Sequence, residues 1–73
     1  MSAFSEKMLA LRKARKLNQE EAAKQSGIGY RSYRRYETGE REPGIAELIK
    51  MADYFNVSVD YLIGRTENPM INR

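Results

Sequence analysis

Apolar residues recur at helical spacing in several stretches of this chain, cap and stop residues mark the rest, and no stretch alternates with the period of two that a half-buried strand needs. The first stretch places Met8, Leu11 and Ala14 or Arg15 on one side of a helix capped by Ser5, with Phe4 packing just before the cap. It is expected to end near Lys16, where Lys13, Arg15 and Lys16 suit the negative end of a helix dipole. In "NQEEAAKQSG", Asn18 and Glu21 have the spacing of a capping box, and Gly27 can take the left-handed backbone that stops a helix. Gly29 then caps a third helix that runs to about Thr38, before Gly39 ends it and "GEREPG" forms a polar loop. Beyond Pro43, the residues Ile45, Leu48, Ile49, Ala52 and Phe55 mark a full amphipathic helix. Ser58 caps a last short helix with Val59, Leu62 and Ile63 apolar and Gly64 closing it. The reading is all-α: a compact bundle of five short helices in one domain over residues 1–66, followed by a flexible tail over 67–73.

The third helix carries an unusual segment, "YRSYRRYE" at residues 30–37. At 100° per residue with Tyr30 as zero, Tyr33 and Tyr36 fall at about 300° and 240°. Arg34, Arg31 and Arg35 fall at about 40°, 100° and 140°. One side is therefore aromatic and suited to a core, while the other presents guanidinium groups to whatever lies outside.

The second and third helices meet the spacing requirements of a helix-turn-helix unit. Counting from Gln19, close packing asks for a small residue four positions on, and the turn favours glycine eight positions on; Ala23 and Gly27 occupy those places. Ile28 fills the turn, and Tyr33 with Tyr36 supplies the buried pair on the second helix.

With these residues in place, "LRKARKLNQEEAAKQSGI", then Glu37, Gly39, Arg41 and Pro43 at alternate positions, then "LIKMADYFNVSVDYLIG", resemble the helix-turn-helix domain of the Cro and cI phage repressors, the xenobiotic-response-element family. The resemblance covers roughly residues 4 to 66. It implies a lambda-repressor-like fold in which the exposed side of helix 3 enters the major groove of DNA and the residue matching Gln19 grips a phosphate at the start of helix 2. It also matches Arg12 and Glu37 to a paired arginine and glutamate. Relative to the family pattern, Tyr33 replaces an aliphatic residue and Ala22 a leucine, which reads as an exchange of volume. Gly29 lacks a capping hydroxyl, and Glu40 and Glu42 bring negative charge to a loop that the family holds near the DNA backbone.

Composition narrows the chemistry. The 73 residues hold 13 Lys and Arg against 10 Asp and Glu, a formal charge of only +3, so an anion-binding surface has to come from local clustering. Cysteine and histidine are both absent, which excludes thiol chemistry, imidazole catalysis and zinc sites built on those ligands. Glu20 and Glu21 are adjacent and diverge by about 100°, so they read as cap and dipole residues and not as a catalytic pair. Met8, Met51 and Met70 read as gap fillers or tail residues, with no cofactor implied. No apolar run approaches the roughly 20 residues of a membrane span and no leader pattern opens the chain, so a soluble, cytoplasmic protein is expected.

The functional reading is a sequence-specific double-stranded DNA-binding protein, a transcriptional repressor or regulator and not an enzyme. Arg31 and Arg35 are the candidates for base reading, because a guanidinium can bond guanine O6 and N7 as a fork. Tyr30, Ser32 and Arg34 lie at the edges of that surface, and Gln19, Thr38 and Arg41 are phosphate candidates. One recognition helix reads few base pairs, so two copies on a palindromic operator are expected, paired weakly through the C-terminal helix, where Val59, Tyr61, Leu62 and Ile63 offer surplus apolar surface. The alternative reading is a protein-interaction module of the same fold, an antitoxin or adaptor whose arginine face meets an acidic partner.

Overall fold

In the computed structural model, which describes residues 2–70, five helices follow one another: α1 (Ala3–Ala14), α2 (Gln19–Ser26), α3 (Tyr30–Thr38), α4 (Ile45–Phe55) and α5 (Val59–Leu62). No strand occurs among the described residues. Helix α3 packs against both α1 and α2, α4 lies against α2 and α5, and α5 returns to α1. The core that they share is built from Phe4, Met8, Ala22, Ala23, Ile28, Tyr33, Tyr36, Met51, Ala52, Phe55, Val57 and Leu62.

Most helix ends fall where the sequence puts them. Asn18 accepts a hydrogen bond from the Glu21 amide (2.8 Å), and the Glu21 carboxylate accepts one from the Asn18 amide (3.0 Å), which completes the capping box of α2. Gly27 closes α2 at φ 77°, a left-handed conformation that costs a residue with a Cβ roughly 1 kcal/mol or more. Gly39 ends α3 in the same way at φ 84°. Gly64, at φ 86°, is doubly constrained, since a Cβ there would lie 2.6 Å from the Cβ of Ala3.

Helix α1 differs from expectation at its start. Ser2, not Ser5, is the N-cap: its hydroxyl accepts from the Ser5 amide (3.2 Å) while the Ser5 hydroxyl accepts from the Ser2 amide (2.9 Å). Starting one turn earlier brings Phe4 inside the helix, where its ring is buried edge-on to Tyr36 with centroids 6.5 Å apart. A cap at Ser5 would have left that ring outside the first turn. The helix also ends earlier than Lys16, at Ala14, with Arg15 as cap and Lys16 in a left-handed conformation at φ 57°.

Helix α4 is present as expected but buries a different arc. Ile45 and Ile49, read as part of the inward stripe, are 79 % and 48 % exposed. Of the expected stripe Leu48 is half-buried and Ala52 and Phe55 are buried, and Met51 joins them, so the inward residues follow the same i, i+3, i+4, i+7 rule one turn further on. Met51 and Met8 are completely buried and are among the largest enclosed side chains, as residues that fill gaps in a core should be. In the tail, the Ser58 amide donates to the Pro69 carbonyl (2.9 Å), while residues 71–73 lie outside the described residues.

One ionic contact crosses this apolar interior. The Arg12 guanidinium donates to Glu37 through Nε (3.0 and 3.1 Å) and Nη2 (2.6 Å), and its Nη1 donates to the Leu17 carbonyl (2.8 Å). Glu37 is only 4 % exposed. The hydrogen bonds to Glu37 hold the Arg12 pKa above its ordinary value, although burial pulls the other way. Beside the pair lies Tyr33, wholly buried, whose hydroxyl has no hydrogen-bond partner. Burial raises the pKa of that phenol, and the nearby negative charge of Glu37 adds to the effect.

Two stability predictions arise from this cluster. Arg12→Met or Glu37→Gln alone should cost about 3 to 5 kcal/mol, because each strands a buried partner, whereas the double variant should cost clearly less than the sum. Denaturant melts of the three variants measure the coupling, and additive single effects would refute it. For Tyr33→Phe, stability at neutral pH should be equal or higher, within about 1 kcal/mol, since an unpartnered buried hydroxyl is lost. The folded-state pKa of Tyr33 is raised, so its stabilisation is complete below the unfolded value of about 10 and is lost as pH rises above it. Thermal melts between neutral and strongly alkaline pH should therefore show the phenylalanine variant losing less stability than the parent.

Candidate nucleic-acid interface

Helix α3 has two faces held apart by packing. Tyr33, Tyr36 and Glu37 are buried, and Arg31, Arg34 and Arg35 are exposed. The inward tyrosines cannot rotate out without opening the core, so the three guanidinium groups have a defined outward direction. The ion pairs among the described residues are Lys7–Glu67 (3.7 Å), Arg12–Glu37 (2.6 Å) and Arg65–Asp60 (3.8 Å). None of them involves an arginine on the outer face of α3, so that charge is unneutralised by direct pairing.

Four of the candidate residues meet in one place. Arg31, Arg34, Arg35 and Thr38 line a shallow polar concavity along the outer side of α3, together with Glu40. The Thr38 hydroxyl donates to the Arg35 carbonyl (3.1 Å), which anchors that side chain to its own helix. The Arg41 amide donates to the same carbonyl (3.3 Å), so the loop after Gly39 folds back over the last turn of α3.

The other four candidates lie around this centre. Tyr30 is 43 % exposed and lines a separate apolar groove with Ala23, Lys24 and Ile28 between α2 and α3. The guanidinium of Arg34 lies 5.7 Å from the Tyr30 ring centroid, a cation–π distance that links the groove to the concavity. Ser32 is half-buried. Arg41 lines a different recess, together with Ser2, Phe4, Pro43 and Ile63.

Gln19 sits at the first position of α2, and its side-chain amide donates to Glu37 Oε1 (3.3 Å). The same carboxylate thus holds Arg12 from α1, the pairing that the family resemblance implies, and Gln19 from α2, a contact across 18 residues that sequence spacing did not reveal. Glu40 is the other residue whose place was missed. It was read only as a charge opposed to phosphate, and no local signal indicates that the left-handed turn at Gly39 carries it to the arginines. Arg15 likewise stacks over Tyr54, 4.8 Å from the ring centroid, and Tyr54 donates to Gln25 (2.5 Å), so the far end of α2 is tied to α4.

Among the described residues no group of acidic side chains is arranged to hold a metal ion, and no helix is long and apolar enough to cross a membrane.

Comparison with known proteins agrees with this geometry. The chain is 38% identical over 66 residues to the uncharacterized HTH-type transcriptional regulator YobD of Bacillus subtilis, covering 90% of this chain and 59% of that protein. It is 40% identical over 62 residues to the cryptic phage CTXphi transcriptional repressor RstR of Vibrio cholerae, covering 85% of this chain and 55% of that protein. The crystal structure of a transcriptional regulator from Listeria innocua has a TM-score of 0.75 at 34% identity, covering 84% of this chain and 57% of that one. The chain therefore spans little more than half the length of these relatives. The helix-turn-helix family HTH_3 matches residues 8–62, from within α1 to the end of α5, and the protein belongs to that family.

Proposed function

We propose that this domain binds duplex DNA sequence-specifically, with α3 in the major groove, as the DNA-reading part of a transcriptional regulator. The observation that carries the reading is the set of three exposed arginines on a helix whose opposite face is locked into the core. A rigid helix with unpaired guanidinium forks on one side suits a groove in which guanine offers two acceptors side by side. The names of the relatives, transcriptional regulators and a phage repressor, support the same role. Arg31 and Arg35 read base edges in this arrangement. Arg34, Thr38, Tyr30 and Ser32 serve phosphates or mixed contacts, and Gln19 and Arg41 hold the backbone at the ends of the unit.

Two copies acting on a palindromic site complete the proposal, because one α3 of nine residues spans only a few base pairs. The C-terminal helix supplies less of the contact than its composition suggests, since Leu62 is completely buried in its own core and Val59 and Tyr61 are half-buried. Ile63 remains exposed, and Ile45 and Ile49 of α4 add apolar surface that the fold leaves outside. So few exposed apolar side chains support only a weak dimer, one that forms mainly on DNA.

Selection of bound sequences from random duplex DNA tests both parts. Arg31→Ala or Arg35→Ala should cost about 1 to 3 kcal/mol on the selected site and relax one base position, whereas Gln19→Ala or Arg41→Ala should weaken all sequences alike. An unchanged consensus and affinity in both arginine variants would reject the base-reading roles. Binding stoichiometry should be two per site, with an optimum at half-site spacings of about 10 to 10.5 base pairs or a multiple. One-to-one binding that ignores spacing would reject the pairing.

A further inference from the structure

We propose that Glu40 is a specificity-determining residue: its carboxylate, set among Arg31, Arg34 and Arg35, disfavours phosphate in the concavity and so weakens binding to unspecific DNA more than binding to the preferred site. The inference rests on the DNA-binding reading given above.

Three observations lead to it. Glu40 lines the same concavity as the three arginines and Thr38, yet among the described residues it forms no ion pair with any of them, so no direct pairing neutralises its charge. Its position is held from both sides. Gly39 turns the chain at φ 84°, and the Arg41 amide is bonded to the Arg35 carbonyl, which brackets residue 40 over the last turn of α3. That place is also unfavourable for an acid, because the C-terminal end of a helix carries partial negative charge and stabilises cations. Helix-dipole electrostatics therefore give the fold no reason to prefer a carboxylate there.

The chemistry of the two binding modes differs in what meets this carboxylate. In the unspecific mode affinity comes from lysine and arginine side chains resting on phosphates, and an uncompensated carboxylate among them repels each phosphate that approaches. In the specific mode Arg34 and Thr38 keep phosphate or mixed contacts, but the forks of Arg31 and Arg35 are turned to base edges, which carry no net charge and include donors such as cytosine N4 that a carboxylate can accept from. A fixed negative charge thus penalises the competing mode more than the intended one, and a difference of affinities is what specificity consists of.

Glu42 provides the control. It carries the same charge two residues along the same loop, but it lines a different recess, with Ser2, Ala3 and Phe4, and not the concavity that holds the three arginines. The experiment measures the affinity of the parent, Glu40→Gln and Glu42→Gln for the selected duplex and for a scrambled duplex, from about 50 to 200 mM salt. Glu40→Gln should bind the scrambled duplex about threefold more tightly at low salt, the size of one charge interaction through water. Its affinity for the selected site should rise less, so that the ratio of the two falls, while Glu42→Gln keeps the parental ratio. Thermal melts should find Glu40→Gln at least as stable as the parent. An equal gain on both duplexes, no gain on the scrambled one, or the same behaviour in Glu42→Gln would overturn the role of Glu40 and leave the DNA-binding reading intact. A parent protein that binds neither duplex would overturn both.

Discussion

The buried carboxylate of Glu37 is the constraint around which the domain is arranged. It lies on α3, accepts two nitrogens of Arg12 from α1, and also accepts the amide of Gln19 from the start of α2. Arg12 in turn holds the Leu17 carbonyl in the turn between α1 and α2. A charge withdrawn from water is costly unless every part of it is paired, so this cluster tolerates few alternative arrangements of the three helices. Apolar packing alone permits small rotations of a helix about its axis. A multidentate ionic contact at 2.6 to 3.1 Å does not.

That restriction adds to the hold that the two buried tyrosines already have on α3. The helix has nine residues and buries only three of them, Tyr33, Tyr36 and Glu37. The tyrosines contribute most of the apolar area, on the order of 1.5 to 3 kcal/mol for a large buried side chain, and the glutamate supplies direction. Together they set where Arg31, Arg34 and Arg35 point. The cost of this design shows at Tyr33, whose hydroxyl is enclosed without a partner close to the ion pair. Tyr33 brings a large ring into a core that also holds the small, fully buried Ala22, and the phenol oxygen comes with the ring.

The helix-turn-helix is also braced from the side away from the arginines. Arg15 covers the faces of Tyr54 and Phe55 at 4.8 and 5.3 Å, and Tyr54 bonds to Gln25 near the end of α2. Lys7 lies 4.2 Å from the ring centroid of Tyr61 and joins α1 to α5. These cation–π contacts use charges that a count of net charge treats as free, which is why the overall +3 says little about the surface. Three of the exposed positive charges, Arg31, Arg34 and Arg35, share one concavity along α3, which Glu40 also lines.

The sequence by itself determined the existence and order of five helices, the caps at Asn18, Gly29 and Ser58, the stops at Gly27, Gly39 and Gly64, and the division of α3 into an aromatic and a basic face. These are signals carried between residues at most four or five positions apart, and they hold whatever the rest of the chain does. The pairing of Arg12 with Glu37 was legible only through resemblance to a family. Tertiary structure decided the remainder. Ser2 and Ser5 both qualify as caps, and the choice followed from where the Phe4 ring could be buried against Tyr36. Ile45, Leu48, Ile49 and Ala52 fit the helical template as well as Leu48, Met51, Ala52 and Phe55 do. The apolar arc of α4 is wider than the surface offered by α2 and α5, and packing against those two helices selected the second set. Gln19 turned to Glu37, and Glu40 joined the arginines, for the same reason: a contact between distant segments depends on how helices are placed in space, which no spacing along the chain encodes.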